Sequence, residues 1–85
     1  MASVEEGKMT IAEALSDRVN ELLELHNFTQ YRLSVRSGVS QSSIGDIRHM
    51  RNKTVNIGLI YGIAQGFGME LSEFFDSPLF RNLDD

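Results

Sequence analysis

Eighty-five residues, 41% of them hydrophobic and 24% charged, with one proline and no cysteine, leave room for one small domain. The missing cysteines exclude a disulfide scaffold and any thiolate metal site, and no run approaches the ~20 consecutive apolar residues of a membrane span. The net charge of −4 hides an asymmetry: between Thr29 and Val55, Arg32, Arg36, Arg48, Arg51 and Lys53 face Asp46 alone, while elsewhere Lys8, Arg18 and Arg81 face eleven acids. Such a basic middle is either a focused anion-binding face or an ordinary solvated surface. No basic-then-apolar leader opens the chain, and a cytoplasmic protein is expected.

Residues 1–9 are polar and aperiodic and read as a disordered tail. Thr10-Ile11-Ala12-Glu13 fits a capping box. Ile11, Leu15, Val19, Leu22 and His26 then recur at helical spacing, with Leu23 and Leu25 widening the stripe. The first helix is therefore predicted over Ile11 to His26. Arg18 falls on its apolar arc and reads as a structural partner for an acid or a carbonyl. His26 suits the helix C-terminus, where the dipole favours a cation.

Thr29 is a candidate N-cap for a short second helix that buries Leu33 and stops at Gly38. Ser40 is a candidate N-cap for a third helix, from Gln41 to about His49, that buries Ile44 and Ile47. Ser34 is small where the two helices approach. Two short helices joined by a tight glycine-containing turn form a helix-turn-helix unit. A helical wheel points Gln41, Ser42, Gly45, Asp46 and His49 outward, a polar, short-chained face that fits a major groove roughly 12 Å wide.

After an Asn52-Lys53-Thr54-Val55-Asn56 loop, Ile57, Ile60, Tyr61, Ala64 and Phe67 predict a fourth helix ending at Gly68. Leu71, Phe74 and Phe75 predict a short fifth one. No run alternates over strand length. The expected fold is all-α, a compact five-helix domain over residues 10–76 with its helix-turn-helix in the second and third helices. Gly58, Gly62 and Gly66 recur every four residues. They allow close packing against the C-terminal tail or a second subunit, or form a tolerated exposed stripe. Beyond Pro78 the apolar Leu79, Phe80 and Leu83 are not needed by five helices, so residues 77–85 read as a tail available to a homodimer contact.

Three blocks carry a family resemblance: Thr29-Gln30-Tyr31-Arg32-Leu33-Ser34, then Ser37-Gly38-Val39-Ser40-Gln41-Ser42-Ser43-Ile44, then Ile60 to Gly68 continuing through Leu71-Ser72-Glu73-Phe74-Phe75. In this order they resemble the phage repressor and Cro-like helix-turn-helix domains, the XRE family, over roughly Arg18 to Phe75. The resemblance implies double-stranded DNA as partner, bound by a transcriptional repressor or regulator with the third helix in the major groove. It implies base contacts from Gln41, Ser42 and Asp46, since glutamine can pair with adenine and a carboxylate can accept from cytosine. Gln30, Arg32, Ser40, Ser43, Arg48, His49, Arg51 and Lys53 become the phosphate candidates.

The alternative reading keeps the fold as a protein-interaction module, such as an antitoxin or phage accessory factor, with secondary DNA contacts. His26 and His49 stand without cysteine, so no metal is expected. Ser42 and Ser43 lack a nucleophile context, and neither an enzyme nor a cofactor is expected.

Overall fold

Local signals start the structure at Thr10. The Thr10 hydroxyl accepts from the Glu13 amide at 3.1 Å and the Glu13 carboxylate accepts from the Thr10 amide at 3.0 Å. This closes the capping box at the head of α1, Ile11–His26. The helix ends where Asn27 turns left-handed, at φ 57°, a conformation asparagine tolerates better than most residues. The computed structural model describes residues 9–51 and 55–84. The polar opening up to Lys8, and Lys53, lie outside the described residues.

Two further side-chain caps follow. Thr29 accepts from the Arg32 amide at 3.0 Å to start α2, Gln30–Ser37, and Ser40 accepts from the Ser43 amide at 3.1 Å to start α3, Gln41–Arg48. Gly38 holds φ 76° between them, and its amide donates to the Ser34 carbonyl. Asn56 caps α4, Ile57–Gly66, and α5, Leu71–Phe74, follows the left-handed Gly68. A single 3-10 turn, Pro78–Phe80, completes the order. Every described element is helical, as the absence of period-2 patterning requires.

The core gathers Leu15, Val19, Leu22 and Leu23 from α1 around Leu33, Ile44, Ile47, Ile60, Ile63, Ala64, Phe67 and Phe74. Helix α3 packs on α1 and α2, and α4 packs on α2. The expected stripe on α4 is rotated: Ile57 and Tyr61 are exposed, whereas Ile63 is fully buried. Leu25, expected to widen the stripe of α1, is 72% exposed. Helix α4 is apolar on nearly every side, and its glycines decide which side goes in. Gly66 is buried against Leu33 and Ser37 of α2, and Gly62 faces Val39. Gly62 and Gly66, though not the exposed Gly58, therefore make a close contact inside the domain, with α2 and the turn after it and not with the C-terminal tail.

Residues beyond Pro78 also have work in the fold. Phe80 lies edge-on to Phe75 at 4.9 Å and tilted against Phe74 at 6.1 Å between ring centroids. The 3-10 turn packs on α1, and the Asp84 amide donates to the Met9 carbonyl at 2.8 Å. Phe80 thus completes the core that was expected to do without it.

Arg18 sits in this region as its place on the apolar arc suggests. It is 8% exposed, with Nε donating to the Phe74 carbonyl at 2.7 Å and a second nitrogen to the Glu73 carbonyl at 2.9 Å. A guanidinium from α1 thereby caps the C-terminal end of α5.

Candidate nucleic-acid interface

The turn between α2 and α3 is fixed by its own small polar residues. The Ser34 hydroxyl donates to the Val39 carbonyl at 2.7 Å, and Ser37 Oγ accepts from the Val39 amide at 3.1 Å. Ser34 therefore serves as a hydrogen-bonding clasp as well as a small spacer. With Leu33 and Ile44 buried beneath, the first turn of α3 is presented outward, and Gln41 and Ser42 are both exposed there.

Gln30 joins the two helices across this surface. Its Nε2 donates to the Gln41 carbonyl at 3.2 Å, and its Oε1 accepts from Arg48 at 2.9 Å. Arg48, a phosphate candidate by sequence, is turned into the protein. Its Nε donates to Asn20 Oδ1 at 2.5 Å, and its carbonyl accepts from the Ser16 hydroxyl at 2.6 Å. The cleft beside it is bordered by Asp17, Glu21 and Glu24, which would repel a phosphate. Arg48 is a clamp from α3 to α1 and α2, and Asn20, which carries no sequence signal of its own, is its anchor.

Gly45 does not belong to the exposed face on which a helical wheel puts it. It is buried, with Gln30 and Arg51 lying over it: a Cβ there would stand 3.3 Å from an Arg51 terminal nitrogen and 3.5 Å from Gln30 Nε2. Arg51 reaches this place because α3 ends in a Schellman turn. The Met50 amide donates to Ile47 and the Arg51 amide to Asp46, with Met50 left-handed at φ 56°. Arg51 Nε then pairs with Asp46 Oδ1 at 2.9 Å. A spacing of five residues predicts no helical side-chain pair, and only the reversal at Met50 brings these two together.

Met50 is half exposed and holds a backbone conformation that costs an L-residue about 1–2 kcal/mol. Glycine avoids that cost but loses more entropy on folding, by about 0.5–1 kcal/mol. Met50→Gly is therefore expected to stabilise the domain by about 0.5–1 kcal/mol, read from thermal melting; a lower melting temperature would mean that the methionine side chain contributes more than its strain.

The other phosphate candidates, and Arg36 of the basic middle, are dispersed. Arg32 and Arg36 lie over the Phe28 ring at 5.5 and 4.9 Å, and Arg36 Nε donates to the Gly66 carbonyl at 2.8 Å. Phe28 in turn stacks with Phe67 and touches His26, so His26 closes an aromatic cluster at the end of α1. The Ser40 hydroxyl donates to Ser43 Oγ at 3.0 Å, and His49 is exposed at the end of α3. No group of three or more potential metal ligands occurs among the described residues, and no described helix is long and apolar enough to cross a membrane.

The surface that results is a short helix with an exposed glutamine and serine at its head, braced by Gln30 and overlaid by an arginine–aspartate pair. Residues 18–78 match the family model of the Cro/C1-type helix-turn-helix DNA-binding domain. Among solved structures, the crystal structure of the prophage Lp1 protein 11 is similar: it is 27% identical, with a TM-score of 0.74, over 88% of this chain and 99% of that one. No curated protein is matched by the chain.

Proposed function

The chain belongs to the Cro/C1-type helix-turn-helix DNA-binding domain family, and from that premise we propose that it is a transcriptional repressor acting in the cytoplasm by laying α3 in the major groove of a specific duplex. The observation that carries this reading is the exposed Gln41–Ser42 head of α3, held by Gln30 to the start of α2. Gln41 is long enough to pair with adenine N6 and N7, and Ser42 can serve either donor or acceptor edges. The amides that open α2 and α3 point their positive ends at phosphate. Gln30, Ser40, Ser43 and His49 border the same surface, with Arg32 as an outlying cation, and Lys53, outside the described residues, stays a phosphate candidate by its sequence alone. Occupying a promoter in this way would block polymerase, and the likeness to a prophage protein supports a regulator of mobile-element type.

A homodimer belongs to the same proposal, because two-fold sites are read by paired recognition helices about 34–36 Å apart. The exposed Ile57 and Tyr61 on α4 support such a contact. Sedimentation of the free protein and of its complex tests it.

The salt dependence of duplex binding tests the reading as a whole. Two to four neutralised phosphates per protomer predict a slope of log Kobs against log salt of about −2 to −4 per protomer. A protein-interaction module would bind duplex DNA weakly, and its partner affinity would change little over the same salt range.

A further inference from the structure

We infer that Arg51 is a base-reading residue selecting guanine, and that Asp46 and Gly45 serve to aim it. This rests on the reading that the α3 face enters the major groove. Arg51 follows the end of α3, where a cation is ordinarily assigned to the phosphate backbone, but its geometry is not that of a free phosphate ligand. The residue is held at two points by Asp46, whose carbonyl accepts from the Arg51 amide at 2.8 Å and whose carboxylate accepts from Arg51 Nε at 2.9 Å. The side chain runs back along the helix and places one terminal nitrogen over Gly45, on the side where Gln30 also lies. A Cβ at position 45 would press on that nitrogen at 3.3 Å, so glycine leaves the seat in which the guanidinium lies.

Three consequences follow from the chemistry. Nε–H is taken by Asp46, and the two terminal nitrogens have no hydrogen-bond partner among the described residues, so the end-on fork of a side chain that is 57% exposed is left free to donate. That fork matches the paired acceptors of guanine, O6 and N7, whereas adenine sets a donor beside its N7 and cytosine offers a donor. The ion pair also carries no net charge. It contributes little to counterion release and therefore little to sequence-independent affinity. A neutral, oriented donor pair discriminates among bases, whereas a swinging cation holds phosphates. Asp46 is on this view a positioning residue, and its carboxylate is tolerated next to a polyanion because Arg51 neutralises it.

The experiment selects bound duplexes from a random pool with the full chain and then titrates the selected duplex and its single-base variants. The parent is expected to require one guanine per protomer, and changing that guanine to adenine should weaken binding about 10-fold or more. Arg51→Lys keeps the charge without the fork and should lose the preference at that position alone. Asp46→Asn should relax the same position while tightening binding to unrelated DNA, since a carboxylate leaves the interface; a purely structural role for Asp46 would leave base preference unmoved. If Arg51→Lys weakens all sequences equally, or not at all, with the guanine still required, the inference is overturned and the DNA-binding reading stands. If the parent has no affinity for duplex DNA at 50 mM salt, both fall together.

Discussion

An Arg18→Met protein is expected to be about 3 kcal/mol less stable than the parent, with amide protection lost first between Phe74 and Asp84. Methionine keeps most of the apolar stem on the core and removes the donors. The Phe74 carbonyl then loses the only partner it has among the described residues, while the Glu73 carbonyl retains the Phe75 and Asp76 amides. Hydrogen bonds to a charged group contribute roughly 1.5–3 kcal/mol each, and leaving a buried acceptor bare costs about 1–3 kcal/mol. The ion pair with Glu21 adds little, since that carboxylate is 47% exposed. The 5.8 Å approach to the Phe74 ring, near the outer limit for such contacts, adds about 0.5–1 kcal/mol. Against a total stability of about 4–13 kcal/mol for a domain of this length, the loss is large. It acts on the segment that seats Phe80 and the 3-10 turn. Urea unfolding and hydrogen exchange read the two halves of the prediction. A loss under 1 kcal/mol would mean that water replaces the guanidinium at the end of α5.

What the sequence makes legible here is what is local. Thr10, Thr29 and Ser40 announce three helix starts because a cap is a bond to an amide three residues on, and Gly38 announces the turn because its backbone is left-handed. The fold class and the exposed Gln41–Ser42 head follow from those signals and the apolar spacing around them. The resemblance to repressor-like domains over Arg18 to Phe75 agrees with the family match over residues 18–78.

The rest depends on contacts distant in sequence or made outside helical spacing. Arg48 looks like a free cation on a polar face, and only the meeting of α1, α2 and α3 supplies Asn20 and Gln30 as its partners. Asp46 and Arg51 meet across a chain reversal that depends on a left-handed methionine, which composition gives no reason to expect. Helix α4 is misread by periodicity for a simpler reason: with Ile57, Leu59, Ile60, Tyr61, Ile63 and Ala64 all apolar, any face could be the buried one. Its glycines hold the missing information, since an interior glycine persists in a helix when its lack of a side chain is needed.

That need is graded along α4, and so are the expected effects of replacing each glycine with alanine. Away from tight contacts the change favours the helix by up to about 1 kcal/mol. Gly58 is exposed in the first turn, where a Cβ would meet only the Asn56 Oδ1 that caps the helix, at 3.0 Å. That small side chain sits at the surface and can shift, so Gly58→Ala should be neutral or slightly stabilising. At Gly62 the added carbon meets Val39 Cγ2 at 3.1 Å and the Ser37 carbonyl at 3.5 Å. A few tenths of an ångström of movement absorbs the helix gain, leaving a change near zero. Gly66 differs in kind. Its Cβ would stand 2.8 Å from Ser37 Cβ, 2.9 Å from Leu33 Cδ1 and 3.2 Å from Ser37 Cα. The first and last of these are fixed to the backbone of α2, and Leu33 is fully buried.

Overpacking of this sort costs typically 1–3 kcal/mol, and here it also strains the 2.8 Å bond from Arg36 to the Gly66 carbonyl. Gly66→Ala is therefore expected to lose about 1–2 kcal/mol after the helix gain is counted. Relief comes by pushing the end of α2 away from α4, which moves the turn that presents α3. DNA affinity should fall in the Gly66 variant under conditions where it remains folded, and hold in the Gly58 variant. Equal melting temperatures across the three variants would mean that the stripe is no contact at all. A changed sedimentation coefficient in the Gly62 variant, with its stability unaltered, would move the stripe from the inside of the domain to the surface between two copies.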